Sequence, residues 1–367
     1  MSWQTCKKMK KILHVSHSLD TGGGPLYINK ILTDVSGFDH YVAGNSGHYF
    51  NIFKTLIGPD KVFKLSGKNI FINVFYLNRI CRLHNIDLIH CHGRGASLYS
   101  RLLIFFNRRI TILYTVHGFH PDTLNPFIRW LYIAFEKVFC GFTDAIINVS
   151  KSEQERFLKR IKPNETGKLH YIPNYITEEE IKERTTCVEL NQAFTNLVFI
   201  GRLSWEKGID LLVDAWKRID KKNCCLYIIG YGPMEASLRG VSVPNLVFLG
   251  KIQDASSLMP CFDAVIIPSR FEGLPFVGLE AMIQKVNVIA TPAVGVTDLF
   301  DSRNSWMASD FTPIALQKAI ADFIEDCRSF SEAIDTKSNE SYRRVKREFS
   351  KNNAEKLRRL YQSFEHS

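Results

Sequence analysis

Glu272 and Glu280 stand eight residues apart in numbering, with seven residues between them, in the segment PSRFEGLPFVGLEAMIQKVNVIATPAVGVTD from Pro268 to Asp298. A Gly-Leu-Pro turn lies between them, and the strand-like run AVIIPS comes immediately before. Strand, tight turn and helix in that order bring free backbone N–H groups to the carboxyl edge of a sheet, where the helix dipole favours anionic groups. Carboxylates repel a pyrophosphate, so the two glutamates suit a neutral, hydroxyl-rich partner beside an amide-bound phosphate, such as a ribose or a hexose. The same pair also fits a first-turn glutamate that complements the helix dipole and a solvated loop residue.

Other expected strand ends carry further candidates. In FIGRLSWEKG, Arg202 and Lys207 could act as two fixed cations that neutralise a departing pyrophosphate, as a metal would. No D-x-D carboxylate pair for a divalent ion occurs, so no metal is expected. Lys207 could instead pair with its neighbour Glu206. In LYIIGYGP, Gly230 and Gly232 would let a planar base lie against the backbone, or would make a tight turn. Gly22, Gly23 and Gly24 lie between a strand and a helix, where amides can approach a ligand. His117, in YTVHGFH, sits at a strand end before a glycine, as a structural histidine or as one facing a ligand cleft. His90-Cys91-His92 invites a metal reading, but neighbours on a strand point to opposite faces and cannot all reach one ion.

The elements that position these residues alternate strand and helix. ILHVSHS, HYVAGN, KVFKLSG, DLIHCHG, ITILYTVHG and DAIINVS read as strands, with helices over LYINKILTDVS, FINVFYLNRICRLHN, residues 96–106, PFIRWLYIAFEKVFC and KSEQERFLKR. Residues 177–196 are polar and irregular, and then NLVFIG, CLYIIG, NLVFLG, AVIIPS and NVIAT restart the alternation. The expected fold is α/β: two doubly wound, Rossmann-like domains facing each other across a cleft, with ligands beyond the carboxyl ends of the strands. The expected division is 1–178, a linker 179–195, a second domain 196–340, and a C-terminal helix in 341–367 that can pack back on the first domain.

The 367 residues suit two domains of usual size, and 45% hydrophobic with 23% charged residues is a soluble globular composition. Net charge +10 suggests an anionic partner without choosing among nucleic acid, nucleotide and acidic lipid. Nine scattered cysteines without a CxxC pair read as reduced cytosolic thiols. The basic N-terminus precedes an apolar run too short for a signal peptide, and no run of about eighteen apolar residues occurs.

With these residues assembled, the chain resembles retaining glycosyltransferases of the GT-B fold, specifically glycosyltransferase family 4 (glycosyl transferases group 1). The resemblance rests on G-R-L with K-G a few residues on (Gly201, Arg202, Leu203, Lys207, Gly208). It rests equally on P-S-x-x-E-G with a later glutamate (Pro268, Ser269, Glu272, Gly273, Glu280), on T-x-H-G from Thr115 to Gly118, and on I-P-N from Ile172 to Asn174. It implies that Arg202 and Lys207 hold the diphosphate of a nucleotide sugar, helped by amides near Leu274 to Val277, with Gly273, Leu274, Pro275, Phe276 and Val277 forming the donor-binding stretch. It further implies that Glu280 binds the ribose, Glu272 the transferred sugar, His117 a group near the reacting sugar, and Gly23 and Gly24 the phosphate or acceptor. Gly201, Gly230 and Gly232 complete the donor side.

The implied reaction moves a hexose or N-acetylhexosamine, with retention and without metal or other cofactor, from a UDP-sugar or GDP-mannose to a lipid-linked or oligosaccharide acceptor. A cytoplasmic enzyme of O-antigen, lipopolysaccharide or capsule biosynthesis, peripheral on an anionic membrane, would use the basic charge and the aromatic helices. The sequence departs from the family at Lys285 and Tyr175, where glycines are usual, and at Ala293, Val294, Gly295 and Asp298. An epimerase-like sugar-nucleotide enzyme of the same fold is the alternative. A basic nucleic-acid-binding protein would need clustered cations with interleaved aromatics or a reader motif, so no nucleic acid is expected.

Overall fold

In the computed structural model, residues 9–67, 69–108, 110–163, 166–181, 188–220 and 222–364 are described. Of the expected linker, residues 182–187 lie outside them, as do Cys6 and Cys187. The chain forms two compact units, one of residues 1–173 with 352–367, the other of residues 174–351.

The first unit holds seven parallel strands: β1 Lys10–Ser18, β2 Phe38–Asn45, β3 Val62–Lys64, β4 Leu88–His92, β5 Thr111–Thr115, β6 Ala145–Asn148 and β7 Leu169–Tyr171. Their spatial order is β3-β2-β1-β4-β5-β6-β7. Register sets Ile12 beside His40 and His14 beside His90. The order reverses between β1 and β4, the switch point at which doubly wound sheets bind ligands. Helices α1 Gly23–Asp34, α2 His48–Ile57, α3 Ile70–His84, α4 Gly93–Arg101, α5 Pro126–Cys140 and α6 Lys151–Ile161 connect the strands. Strands this apolar, with Leu13, Val15, Ile89, Ile112 and Ile146 all buried, need cover on both faces.

The second unit repeats the plan with β8 Thr195–Ile200, β9 Cys224–Ile229, β10 Leu246–Gly250, β11 Ala264–Ile267, β12 Asn287–Ala290 and β13 Trp306–Met307. All are parallel, in the order β10-β9-β8-β11-β12-β13, so β8 and β11 flank the switch point. Helices α7 Ile209–Trp216, α8 Glu235–Arg239, α9 Phe276–Ile283, α10 Pro313–Arg328 and α11 Ala333–Glu348 belong here. The core gathers Leu197, Leu212, Trp216, Leu226, Ile266, Leu316 and Phe323.

The structure differs from the sequence reading in places. The helix expected over 96–106 is α4 followed by a 3-10 turn at Leu102–Phe105. Helix α2 and strand β13 were not expected. Only Phe53 of α2 is buried, and β13 is two residues long, so neither offers a clear period. Helix α12, Asn352–Ser363, belongs to the first unit, where the Tyr361 hydroxyl lies 2.6 Å from Nδ1 of His90. Lys285 takes a left-handed φ of 56°, which explains why a glycine suits that helix end. None of the seven described cysteines is in a disulfide.

Candidate functional site

In the second unit, the loops leaving β8 and β11 meet. Gly208 has a φ of 67°, and a Cβ there would stand 1.9 Å from the Pro268 carbonyl oxygen, so only glycine lets the two loops approach. Across this junction the Arg270 N–H donates to the Glu206 carbonyl at 2.9 Å. The Arg270 guanidinium grips both Asp210 oxygens at 2.7 and 2.8 Å and lies 4.6 Å from the Trp205 ring centre. This bidentate, stacked arginine fixes the relative placement of the loops.

On that frame Lys207 Nζ lies 2.5 Å from Glu272 Oε1, and Ser269 Oγ donates to the same oxygen at 2.8 Å. The Ser269 carbonyl in turn accepts from Thr291 Oγ1 at 2.5 Å. Lys207 is therefore partnered with Glu272, and the pairing with adjacent Glu206 entertained from sequence is not the one formed. Glu272 is mostly buried and Lys207 about one-third exposed, which leaves the ammonium room for a second anionic partner. Arg202 is exposed, and its guanidinium makes no ion pair among the described residues.

Helix α9 opens at Phe276 behind Pro275, with no side chain capping its first amides. Asn174, buried at 3%, donates through Nδ2 to the Leu274 carbonyl at 2.7 Å and so holds the turn into that helix. Its Oδ1 is buried with no partner among the described atoms. Val277 and Glu280, three residues apart, share a half-buried face of α9. Gly201 follows β8 directly, and Gly273 precedes Leu274 in the turn.

Gly230 and Gly232 have a packing reason. A Cβ at Gly230 would meet the Gly201 carbonyl oxygen at 1.8 Å, and one at Gly232 the Leu203 carbonyl oxygen at 2.4 Å. These contacts are close approaches to the loop that leaves β8, a packing requirement separate from both sequence readings.

In the first unit, His117 follows β5 with a left-handed φ of 53°, a sparsely populated conformation for a residue with a Cβ. The buried Glu153 carboxylate holds the next residue by accepting the Gly118 N–H, and it also accepts from Val149 N at 3.1 Å. Burial pushes the Glu153 carboxyl up to about 7, against the pull of those amides. Gly23 and Gly24 are the first two residues of α1, whose start has no side-chain cap, and a Cβ at Gly24 would meet nothing within 4 Å. Tyr27 of the same helix sets its ring edge-on to His117, centres 5.0 Å apart.

Five histidines cluster behind this turn. His40 Nδ1 lies 3.0 Å from His14 Nε2, His14 Nδ1 lies 3.2 Å from His92 Nε2, and His92 Nδ1 lies 3.3 Å from His117 Nε2. His90 sits between the Tyr361 hydroxyl at 2.6 Å and Thr115 Oγ1 at 2.7 Å. Burial holds His14, His90 and His92 well below the usual imidazole range and brings His117 down to about 3.

Ligand atoms of His14, His90 and His92 lie within 4.8 Å of one another, close enough for a metal ion. Each of their six ring nitrogens already has a hydrogen-bond partner, so the donor set is committed. Cys91 points the other way, its thiol donating to the Leu113 carbonyl at 3.2 Å. The opposite-face expectation for His90-Cys91-His92 describes this geometry.

Lys207, Glu272 and the turn into α9 thus lie at the switch point of the second sheet, with Arg202 in the same loop after β8 as Lys207, while His117, Gly23 and Gly24 belong to the first unit. Sequence reasoning missed Arg270, Asp210 and Thr291, which brace the loops. It also missed His14 and His40, which no short motif marks.

Residues 39–180 match the family described as Glycosyltransferase Family 4, and residues 195–326 match Glycosyl transferases group 1. A 41.2 kDa protein of the cps region of Klebsiella pneumoniae is 24% identical over 82% of this chain and 86% of its own length. The O-antigen biosynthesis glycosyltransferase WbnH of Escherichia coli is 25% identical over 63% of this chain and 66% of its own. The crystal structure of Anabaena HepE in complex with UDP and glucose aligns with a TM-score of 0.79 at 17% identity, covering 97% of this chain and 100% of that one, a likeness of fold. The two family matches fall one on each sheet, and together with the paired signature at Lys207 and Glu272 they place the chain among the GT-B glycosyltransferases, in glycosyltransferase family 4 (glycosyl transferases group 1).

Proposed function

We propose that the chain is a retaining, metal-independent hexosyltransferase. It moves a hexose or N-acetylhexosamine from a nucleotide-diphosphate sugar, with UDP favoured over GDP, to a hydroxyl of a lipid-linked glycan in O-antigen or capsule biosynthesis. The observation that carries this reading is the Lys207–Glu272 pair, with Arg202 in the same loop as Lys207, and the uncapped start of α9. Two cations and a row of helix amides suit a leaving diphosphate, and carboxylates suit sugar hydroxyls.

In this reading Lys207 and Arg202 stabilise the charge that develops on the diphosphate, the role a metal plays elsewhere. Glu272 accepts from a hydroxyl of the transferred sugar and Glu280 from the ribose, while His117 bonds a group near the reacting carbon. The UDP and glucose bound by the HepE structure favour a UDP donor, and the cps-region and O-antigen relatives favour a surface-glycan acceptor. The test is transfer from a panel of UDP- and GDP-sugars to a lipid-linked acceptor, with and without EDTA, reading the product's anomeric configuration by NMR. Retention with EDTA-insensitive transfer is expected; inversion or loss of transfer with EDTA contradicts it.

The reading includes peripheral contact with an anionic membrane. Phe71 of α3 is 75% exposed and Trp130 of α5 64%, and the Phe75 and Phe106 rings, both exposed, touch at 5.2 Å between centres. Exposed Arg79, Arg82 and Lys137 lie on the same helices, each worth roughly 1 kcal/mol near anionic lipid. No helix of the described residues is long and apolar enough to cross a membrane. Flotation with vesicles containing phosphatidylserine, and not with phosphatidylcholine alone, is expected; equal flotation with both, or none, contradicts the docking.

A further inference from the structure

The histidine cluster has a polarity that can be read from one end. His40 Nε2 lies 3.0 Å from the Val35 carbonyl oxygen, which can only accept, so this nitrogen carries the proton. In a neutral ring the other nitrogen, Nδ1, is then an acceptor, and His14 Nε2, 3.0 Å away, must donate to it. The same logic passes along the chain. His14 Nδ1 accepts from His92 Nε2, and His92 Nδ1 accepts from His117 Nε2. His117 is left with Nδ1 unprotonated.

We propose that His40, His14 and His92 form a one-way imidazole relay, anchored on the Val35 carbonyl, that orients His117 and fixes it as the Nε2–H tautomer with Nδ1 as an acceptor for a substrate hydroxyl. This deepens the function proposed above and rests on its assignment of His117 to the transfer site. His40, His14 and His92 are positioning residues that act through His117.

Three observations beyond the distances support the relay. The rings come from three strands, β1, β2 and β4, so the sheet holds their spacing. All four rings are kept neutral by burial, the condition under which each passes one donor and one acceptor onward. His117 also sits in a left-handed backbone conformation, so a contact that holds its ring has strain to offset. In imidazoles generally, the hydrogen bond made by one nitrogen sets the protonation of the other.

The consequence is selectivity for what His117 can bind. An acceptor nitrogen takes the hydrogen of a sugar hydroxyl and rejects a carbonyl or a phosphate oxygen, which bring no proton. The group expected at His117 is thus a hydroxyl of the transferred sugar or of the acceptor.

Imidazole 15N NMR of the full-length protein tests the relay directly, with peaks assigned by single His→Gln variants. The expected result is four neutral rings at His14, His40, His92 and His117, each protonated at Nε2. His117 protonated at Nδ1, a reversed tautomer at His14 or His92, or a metal ion bound to these nitrogens would overturn the proposal. In parallel, His14→Phe should lower kcat by roughly tenfold or more with donor KM little changed, while His14→Gln, which keeps a donor and an acceptor, should recover part of that loss. Should His14→Phe fail to fold, the wild-type spectrum still decides. If the spectrum is as expected and His117→Ala leaves transfer unchanged, the relay stands and the assignment of His117 to transfer fails. If transfer depends on His117 and the spectrum shows Nδ1–H, the relay fails alone.

Discussion

Lys207 Nζ and Glu272 Oε1, 65 residues apart in sequence, lie 2.5 Å from one another. The contact joins the two loops that leave the adjacent strands β8 and β11, so it forms only once the sheet has brought those strands together. In the proposed function, a diphosphate arriving at Lys207 would compete with Glu272 for the ammonium, and a sugar hydroxyl arriving at Glu272 would compete with Lys207 for the carboxylate. Binding the two halves of a nucleotide sugar together would then replace one internal ion pair with two ligand contacts.

From this pairing, Lys207→Ala, Arg202→Ala and Glu280→Ala should each reduce turnover at least tenfold, on the order of 1.4 kcal/mol or more in transition-state stabilisation. The fold should persist, because a partly exposed ion pair is worth about 1 kcal/mol or less. Steady-state kinetics beside circular dichroism checks both halves. Near-wild-type turnover in all three variants would mean the site lies elsewhere.

Gly208→Ala should be worse for the fold than any of those. The new Cβ would stand 1.9 Å from the Pro268 carbonyl oxygen at a φ of 67°, so the loops must separate. A loss of more than about 1 kcal/mol in unfolding free energy is expected, with turnover falling alongside. An unchanged melting temperature would show that the junction is more compliant than its geometry.

Acid should weaken the protein through its histidines. His14, His90 and His92 have folded values well below the ordinary 6.5, and His117 about 3, so their contribution is complete above 6.5 and is lost as pH falls toward the folded values. Urea unfolding followed from pH 8 to pH 5 should show stability dropping below about 6.5. His14→Gln should flatten that drop, and an equally steep drop in the variant would contradict it.

Glu153 should act in the opposite sense. Its folded value is raised to about 7 from an ordinary 4.5, so its contribution is complete below 4.5 and is lost as pH rises through 7. Relative to Glu153→Gln, the wild type should gain stability as pH falls from 7 to 4.5. The glutamine should also cost about 1–3 kcal/mol at neutral pH, since its amide would meet the N–H groups of Gly118 or Val149. A difference between the two proteins that does not vary with pH would count against the raised value.

Much of the fold was legible because its signals are local. Each β-strand run and its following helix lie within one stretch of sequence, and P-S-R-F-E-G with the later Glu280 is readable as strand, turn and helix start. The contacts that make the site are not local. Lys207 reaches Glu272, Arg270 reaches Asp210, and Asn174 reaches Leu274 only through the strand order β8-β11 or across about a hundred residues. The relay is less legible still, because His14, His40 and His92 come from strands whose adjacency depends on the reversal at β1. Gly230 and Gly232 were open between a base platform and a tight turn. Their approach to the carbonyls of Gly201 and Leu203 is a packing fact that no spacing reveals. Lys285 shows the converse, since the sequence marked it as a departure and the structure gives the reason in its left-handed backbone.

The central claim is that a nucleoside diphosphate binds at Lys207 beside Glu272, and differential scanning fluorimetry with UDP and GDP tests it most directly. A ligand that binds only the folded protein at 100 times its dissociation constant stabilises by about 2.7 kcal/mol. The wild type should melt at a higher temperature with UDP, and Lys207→Ala should lose most of that increment while Glu272→Gln keeps it. No increment with either nucleotide, or the same increment in wild type and Lys207→Ala, would contradict the account.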